Sequence, residues 1–381
     1  MNVIFTCGGT GGHINPAIAV ANVWKARYPD SRILFLGAVG GMEEQLVPKA
    51  GFELVTLPGD GMYRDFSPSG IKKNCRTLRL LYNAVKRCKQ IIRDFAADVV
   101  VGTGGYASLP ALMAAGMLHV PSCVHESNAV PGLTTRLAAR WTDRNLVCFP
   151  QSAQYYKHPE KVQVVGMPVR SEFIYNKKQE CRERLGLDER PVILSAFGSQ
   201  GARAMNEMTA ELMRLEKEAG YPFQHIHAVG SYGWDWMPEL VESKGVDIRN
   251  NRSIILKEYL HDMPSAMVAA DIVIGRAGAS SCNEIAVAGV PCILIPSPNV
   301  TANHQEKNAM ALANHGAAAV ILEKDCTAQA VMQKITELLE DRKAYADMRS
   351  ALMRMAIPNS AERMCDIIEE LVWGKNQEIK E

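Results

Sequence analysis

Short runs of β-branched and apolar residues recur along the chain at 3–6, 33–36, 54–57, 98–101, 122–124 and 145–147, and a longer stretch with helical spacing follows each. Runs of this length, alternating with helical patterns, predict parallel strands joined by crossover helices. The scheme begins afresh in the second half, with runs at 192–196, 225–229, 253–256, 271–274, 292–295 and 318–321. Between the halves the periodicity is weakest around Val165, Gly166, Met167, Pro168, Val169 and Arg170, which marks the linker. The expected fold class is α/β, with two Rossmann-like doubly wound parallel-sheet domains, 1–166 and 167–357. A last helical pattern within 358–375 follows Ile357 and Pro358 and is expected to pack back on the first domain. Ligands of such sheets bind beyond the carboxyl ends of the strands, so an interdomain cleft is the expected site.

Composition agrees with this organisation. A length of 381 residues exceeds what one hydrophobic core supports. With 47% hydrophobic and 22% charged residues, disorder, collagen and coiled coil are excluded. The 42 basic and 41 acidic residues leave a net charge of +1, so nucleic acid is not an expected partner, although a local basic patch is allowed. One such patch is 70–93, which carries Lys72, Lys73, Arg76, Arg79, Lys86, Arg87, Lys89 and Arg93 and no acid. On a helix most of these cations gather on one side, and Leu78, Leu81, Tyr82, Val85, Cys88 and Ile92 on the other. The ten cysteines form no CxxC pair, which fits a reducing cytosol, and the N-terminal residues suggest no secretory signal. The longest apolar stretch, 107–124, is broken by two prolines and His119 and reads as a buried helix and strand rather than a membrane span.

The candidate chemistry lies where the strands end. The first strand runs into Gly8, Gly9, Thr10, Gly11, Gly12 and His13, with a helix expected near Asn15 and Pro16 in its first turn. This density of glycine uncovers backbone N–H groups for an anion or a closely approaching polar substrate. Gly102, Thr103, Gly104, Gly105 and Tyr106 repeat the arrangement after the fourth strand. The second strand ends in Gly37 and Ala38, where a nicotinamide enzyme keeps an acid for the ribose, and no Walker lysine follows either loop. Dehydrogenase and P-loop readings are thereby disfavoured.

His125, Glu126, Ser127 and Asn128 follow the fifth strand and precede a helix with Arg136 and Arg140; they are placed for substrate, or form a helix entry capped by Asn128. In the second half Gly198, Ser199, Gln200, Gly201 and Ala202 open a helix as a phosphate cradle. Gly275, Arg276, Ala277 and Gly278 precede a helix bearing Glu284, which accepts sugar hydroxyls or caps that helix. Asn303, His304, Gln305, Glu306, Lys307 and Asn308 form a polar cluster after the strand at 292–295. His225 and His227, two apart on a strand, lack Cys or acidic neighbours in sequence and read as core or surface positions rather than a metal pair.

Taken jointly, the segments 8–13, 125–128, 166–170, 198–202, 275–289 and 303–309 resemble the MurG family of bacterial peptidoglycan glycosyltransferases, glycosyltransferase family 28, in order over nearly the whole chain. The resemblance implies a GT-B fold whose C-terminal domain binds UDP-GlcNAc and whose N-terminal domain meets a lipid-linked acceptor. It implies inverting transfer of N-acetylglucosamine to the 4-hydroxyl of the MurNAc sugar of undecaprenyl-diphospho-MurNAc-pentapeptide (lipid I), giving lipid II. The implied partners are UDP-GlcNAc, lipid I, an anionic membrane surface at the cytoplasmic face, and other cell-wall synthesis proteins. Carried over by position, the substrate-binding residues are Thr10, Gly11, Gly12, Asn128, Arg170, Ser199, Leu260, Ala279, Ser280, Ser281, Cys282, Asn283, Glu284 and Gln305. His304 departs from the pattern, standing where some members have a second Gln. A UDP-GlcNAc 2-epimerase shares the fold and donor, and a non-catalytic sugar-nucleotide-binding module is the reading from another class.

The transfer needs a base for the acceptor hydroxyl and stabilisation of the departing UDP. His13 is the candidate base and Glu126 the alternative. No DxD motif is present to hold a metal, so no cofactor is expected; Arg170, the Ser199 loop and the helix starts at Gly201 and Ser280 are expected to meet the charge. Lys72, Lys73, Arg76 and Arg79 are the expected membrane contacts, assisted by apolar residues at 62–66.

Overall fold

The computed structural model describes residues 1–58 and 68–378, apart from the side chains of 68–76, 78 and 375–378. It divides into two compact units, Met1–Val169 with Ile357–Glu381, and Arg170–Ala356, so the chain changes unit slightly beyond 166. In the first unit the strands are β1 (Asn2–Thr6), β2 (Arg32–Ala38), β3 (Glu53–Leu57), β4 (Val99–Gly102), β5 (Ser122–Glu126), β6 (Arg144–Val147) and β7 (Val162–Val164). They form one sheet in the order β3-β2-β1-β4-β5-β6-β7, every pair parallel. Six of them match the sequence expectation, and β7, at the edge, does not.

Both faces of this sheet are covered, which is why its strands are continuously apolar. Val3 and Phe5 point into a core with Ile14, Trp24 and, from the C-terminal helix Ser360–Glu378, Met364 and Ile368. Ile4, one residue out of phase, points into the opposite core with Leu36, Val100 and Leu112. The C-terminal helix thus returns to the first unit, and Arg27 pairs with its Asp366 and Glu369 at 2.6 and 2.9 Å.

The helix Pro68–Asp94 seals the second of these cores through Val85, Cys88, Ile91 and Ile92. Arg79, Lys86, Arg87 and Arg93 are exposed. Tyr82 does not join the apolar face as expected: it sits at the shoulder of the stripe and is 71% exposed. The side chains of Lys72, Lys73 and Arg76, and residues 62–66, lie outside the described residues. Among the described residues no helix is long and apolar enough to cross a membrane.

The second unit has β8 (Val192–Ala196), β9 (Gln224–Ala228), β10 (Ile254–Lys257), β11 (Ile272–Gly275), β12 (Cys292–Leu294) and β13 (Ala319–Val320), in the parallel order β10-β9-β8-β11-β12-β13. Each sheet reverses its winding once, between β1 and β4 in the first and between β8 and β11 in the second. Such switch points open a crevice at the carboxyl ends of the strands, where ligands bind. The glycine-rich loops of the sequence leave those four strands.

Candidate active site

At the first switch point the loops after β1 and β4 are packed on each other by glycine. A Cβ on Gly105, at φ +81°, would overlap the Gly8 carbonyl, and one on Gly104 would meet His13 Nδ1 at 2.7 Å. His13 Nδ1 lies 3.0 Å from the Thr103 carbonyl, and Thr103 Oγ1 donates to the His13 carbonyl at 2.6 Å. A carbonyl only accepts, so Nδ1 carries the proton in that bond and Nε2 is the basic nitrogen of the neutral ring.

The helix that carries His13 begins at Gly11, earlier than expected. Thr10, extended at φ −139°, is its N-cap residue, and its carbonyl accepts the N–H groups of His13 and Ile14. The Thr10 hydroxyl makes no cap bond, and Gly11 and Gly12 form the first turn. Pro16 therefore lies inside the helix rather than at its start. It has no N–H to give the Gly12 carbonyl one turn back.

The exit of β5 is organised by Glu126, which is 3% exposed. Its Oε1 accepts the Asn128 N–H at 2.9 Å and Asn128 Nδ2 at 3.0 Å, and its Oε2 accepts the Gly132 N–H at 2.9 Å. Both carboxylate oxygens are engaged by their own loop. Asn128 is not a helix cap: the next helix, Leu133–Ala138, has Gly132 at its cap position, and Arg140 lies beyond its end. His125 is buried, and its Nε2 donates to the Gly166 carbonyl at 2.8 Å. Burial holds its pKa below the ordinary imidazole value.

At the second switch point, Gly198, Ser199 and Gln200 are exposed after β8. A Cβ on Gly201, at φ +80°, would overlap the Val229 carbonyl at the exit of β9. Tyr232 N–H donates to the Gln200 carbonyl at 3.1 Å, so the β9 exit, unmarked in the sequence reading, buttresses the cradle. After β11 the helix Ala279–Ala288 starts with Gly278 as its cap residue and no side-chain cap bond. Glu284 therefore does not cap it. Burial raises the Glu284 pKa, with the Arg170 charge opposing.

Not all of the run 279–284 faces a ligand. Cys282 is 1% exposed and points into the core, and Asn283 Nδ2 donates to the Ala279 carbonyl of its own helix at 2.9 Å. Ala279, Ser280, Ser281 and Glu284 are half-buried. Gln305 Oε1 accepts the Ser297 N–H at 2.9 Å, which leaves its amide NH₂ as the donor end. Arg170 is exposed over the Phe173 ring at 5.5 Å, and Leu260 is half-buried after β10.

His225 and His227 are core residues, but an acid does stand beside them. Glu216 Oε1 accepts from His225 Nδ1 at 2.7 Å, and Ser195 Oγ is bonded to His225 Nε2 at 2.7 Å and His227 Nδ1 at 2.6 Å. All four are buried, three on β8 and β9 and Glu216 on the helix Arg203–Glu218, and burial lowers the His227 pKa to about 3. Among the described residues no three or more His, Cys, Asp or Glu side chains are grouped to hold a metal ion. In the first unit the buried carboxylate of Glu43 was likewise unmarked in sequence; it bonds Ala38 five residues back and Gly9 in the loop after β1.

Two doubly wound parallel sheets, each with glycine-rich loops at its switch point, match the GT-B fold class. The glycosyltransferase family 28 N-terminal domain matches residues 3–147, and the family 28 C-terminal domain matches 192–369. The chain belongs to glycosyltransferase family 28. It is 38% identical over 377 residues, covering 98% of this chain and 99% of the relative, to the UDP-N-acetylglucosamine–N-acetylmuramyl-(pentapeptide) pyrophosphoryl-undecaprenol N-acetylglucosamine transferase of Acetivibrio thermocellus. It is 39% identical over 372 residues, 97% of this chain and 100% of the relative, to the protein of the same name from Caldanaerobacter subterraneus. Among solved structures, Acinetobacter baumannii MurG aligns with a TM-score of 0.75 and 26% identity, over 97% of this chain and 99% of that one. UDP-GlcNAc 2-epimerase from Neisseria meningitidis aligns at 0.66 with 16% identity, over 97% and 100%, a likeness of fold alone.

Proposed function

We propose that the chain is an inverting hexosyltransferase that moves N-acetylglucosamine from UDP-GlcNAc to the 4-hydroxyl of MurNAc in lipid I, giving lipid II for peptidoglycan. The observation that carries this reading is the identity of 38% and 39%, over nearly full length, to relatives named for that transfer. His13 is the general base: Nε2 takes the acceptor's proton as attack develops, and the Thr103 carbonyl stabilises the imidazolium through Nδ1. The engagement of both Glu126 oxygens by their loop supports His13 over that alternative.

In the same reading the charge growing on UDP is met by Arg170, the Ser199 loop, and the N-terminus of the Ala279–Ala288 helix with Ser280 and Ser281. Glu284 accepts donor hydroxyls, Gln305 donates its amide, Leu260 packs on the uracil, and Thr10, Gly11, Gly12 and Asn128 meet the substrate from the first unit. No step uses a metal. The test is UDP release from UDP-GlcNAc with and without a lipid I analogue. Release that depends on lipid I is expected; release or 2-epimer formation without it would contradict the reading.

The protein attaches peripherally to the cytoplasmic membrane surface through the basic helix. Support comes from the acid-free stretch 70–93, with Arg79, Lys86, Arg87 and Arg93 exposed beside a 71% exposed Tyr82. Anionic lipids attract each nearby Lys or Arg by about 1 kcal/mol. Combining Lys72→Glu, Lys73→Glu and Arg76→Glu should abolish co-sedimentation with anionic vesicles at low salt. Equal binding of variant and wild type would remove the segment from the membrane site.

A further inference from the structure

We propose that Glu43 is a positioning residue for the transfer, an internal anion that holds the Gly8–His13 loop in its working shape. The role rests on the reading of that loop as part of the reaction site. The sequence after β2 lacks the acid that a dinucleotide-binding domain keeps there for a ribose. Glu43, the first residue of the short helix Glu43–Lys49, turns its side chain back to that place. It is 0% exposed. Oε1 accepts the Ala38 N–H at 2.7 Å, at the exit of β2, and Oε2 accepts the Gly9 N–H at 3.3 Å, in the loop after β1. The carboxylate therefore fills the crevice between two strand exits.

Three glycines make room for it. A Cβ on Gly8 would stand 3.2 Å from Oε1, and one on Gly37 or Gly41 would overlap the Glu43 side chain. Among the described residues no cationic side chain pairs with it, so backbone N–H dipoles carry the compensation. A buried carboxylate held this way is costly unless its geometry is kept. Its bond to Gly9, at φ +90°, fixes the Gly8–Gly9 peptide, one residue ahead of Thr10 and the helix start, while Thr103 fixes His13 from the β4 side. The loop is clamped at both ends, and Glu43 is the clamp at its start.

The loss of either clamp should shift the base relative to its substrate, and a displacement near 1 Å can cost on the order of 100-fold in rate. The experiment measures kcat with UDP-GlcNAc and a lipid I analogue, well below the melting temperature of each variant, together with UDP affinity by calorimetry. Glu43→Gln keeps the volume and one acceptor, and should lower kcat about 10- to 100-fold with UDP affinity within about twofold. Gly37→Ala, whose methyl displaces the carboxylate, should give the same defect and add little to Glu43→Ala, where space has been made. Wild-type kcat in folded Glu43→Gln would overturn the role, as would a loss of UDP affinity equal to the loss of rate, or full additivity of the two alanine variants. No transfer by the wild type would refute the functional reading and this role with it, whereas transfer by the wild type and an unimpaired Glu43→Gln refutes the role alone.

Discussion

The two switch points share a topology and differ in what the chain leaves for a ligand. At the first, between β1 and β4, the groups are already engaged: His13 is bound to Thr103, the loops are in contact through Gly8 and Gly105, and Gly9 is bonded to a buried carboxylate. At the second, between β8 and β11, Ser199 is exposed and Glu284 accepts no hydrogen bond among the described residues, while the helix starts at both switch points lack a side-chain cap. A general base works from a fixed place and one tautomer, so its surroundings are closed. A site for a charged, hydroxyl-rich donor needs uncommitted donors and acceptors, and in the second unit the loop backbone that would carry them is held by the β9 exit, through Tyr232 N–H on the Gln200 carbonyl. In the proposed reading one fold serves two tasks by engaging the base and its loop internally in one unit and leaving Ser199 and the Glu284 carboxylate open in the other.

The comparison is broken most directly at His13. His13→Ala should slow transfer by about 100- to 10,000-fold, the usual loss with a general base, and near wild-type turnover would remove it from the chemistry. Next in size is the floor of the second unit. Ser195→Ala leaves two buried imidazole nitrogens without their partner and should cost about 1–3 kcal/mol, read from the urea midpoint; a change under about 0.5 kcal/mol would show the network to be idle.

A smaller effect tests the claim that the donor site is left unsatisfied. Burial raises the Glu284 pKa, so the native state keeps a proton at pH values where the unfolded chain has lost it. That contribution is complete below the ordinary carboxyl range and is lost as pH rises through the folded value. At pH 7 Glu284→Gln should therefore melt above the wild type, with the gap closing toward pH 4; a lower melting temperature would contradict it. The smallest expected effect is that of EDTA, which should leave transfer largely intact, and complete loss restored by one divalent ion would overturn the account of the leaving group.

The strands were legible because a sheet covered on both faces needs continuous apolar runs, and the glycine loops because few other residues allow such close backbone approach. β7 was not, since Val162–Val164 is too short to set a period. The start of the first helix was hidden by Gly11 and Gly12, poor helix formers that become helical once Thr10 turns the chain, while Pro16 suggested a later start. Cys282 and Asn283 lie in a run that matches its family, and only helix geometry turns one inward and the other back on the helix. Glu43 was missed because its bond to Gly9 joins two separate loops, and Glu216 because only the packing of its helix on β9 brings it to His225.

The central claim, that the first unit supplies the base and the second holds the donor, is tested most directly by titrating UDP-GlcNAc into His13→Ala and Glu284→Ala in a calorimeter. The account predicts affinity within about twofold of wild type for His13→Ala, and a loss of about 1–3 kcal/mol for Glu284→Ala, the worth of hydrogen bonds to a charged group. Unchanged affinity in Glu284→Ala, or an equal loss in both variants, would contradict the division of labour.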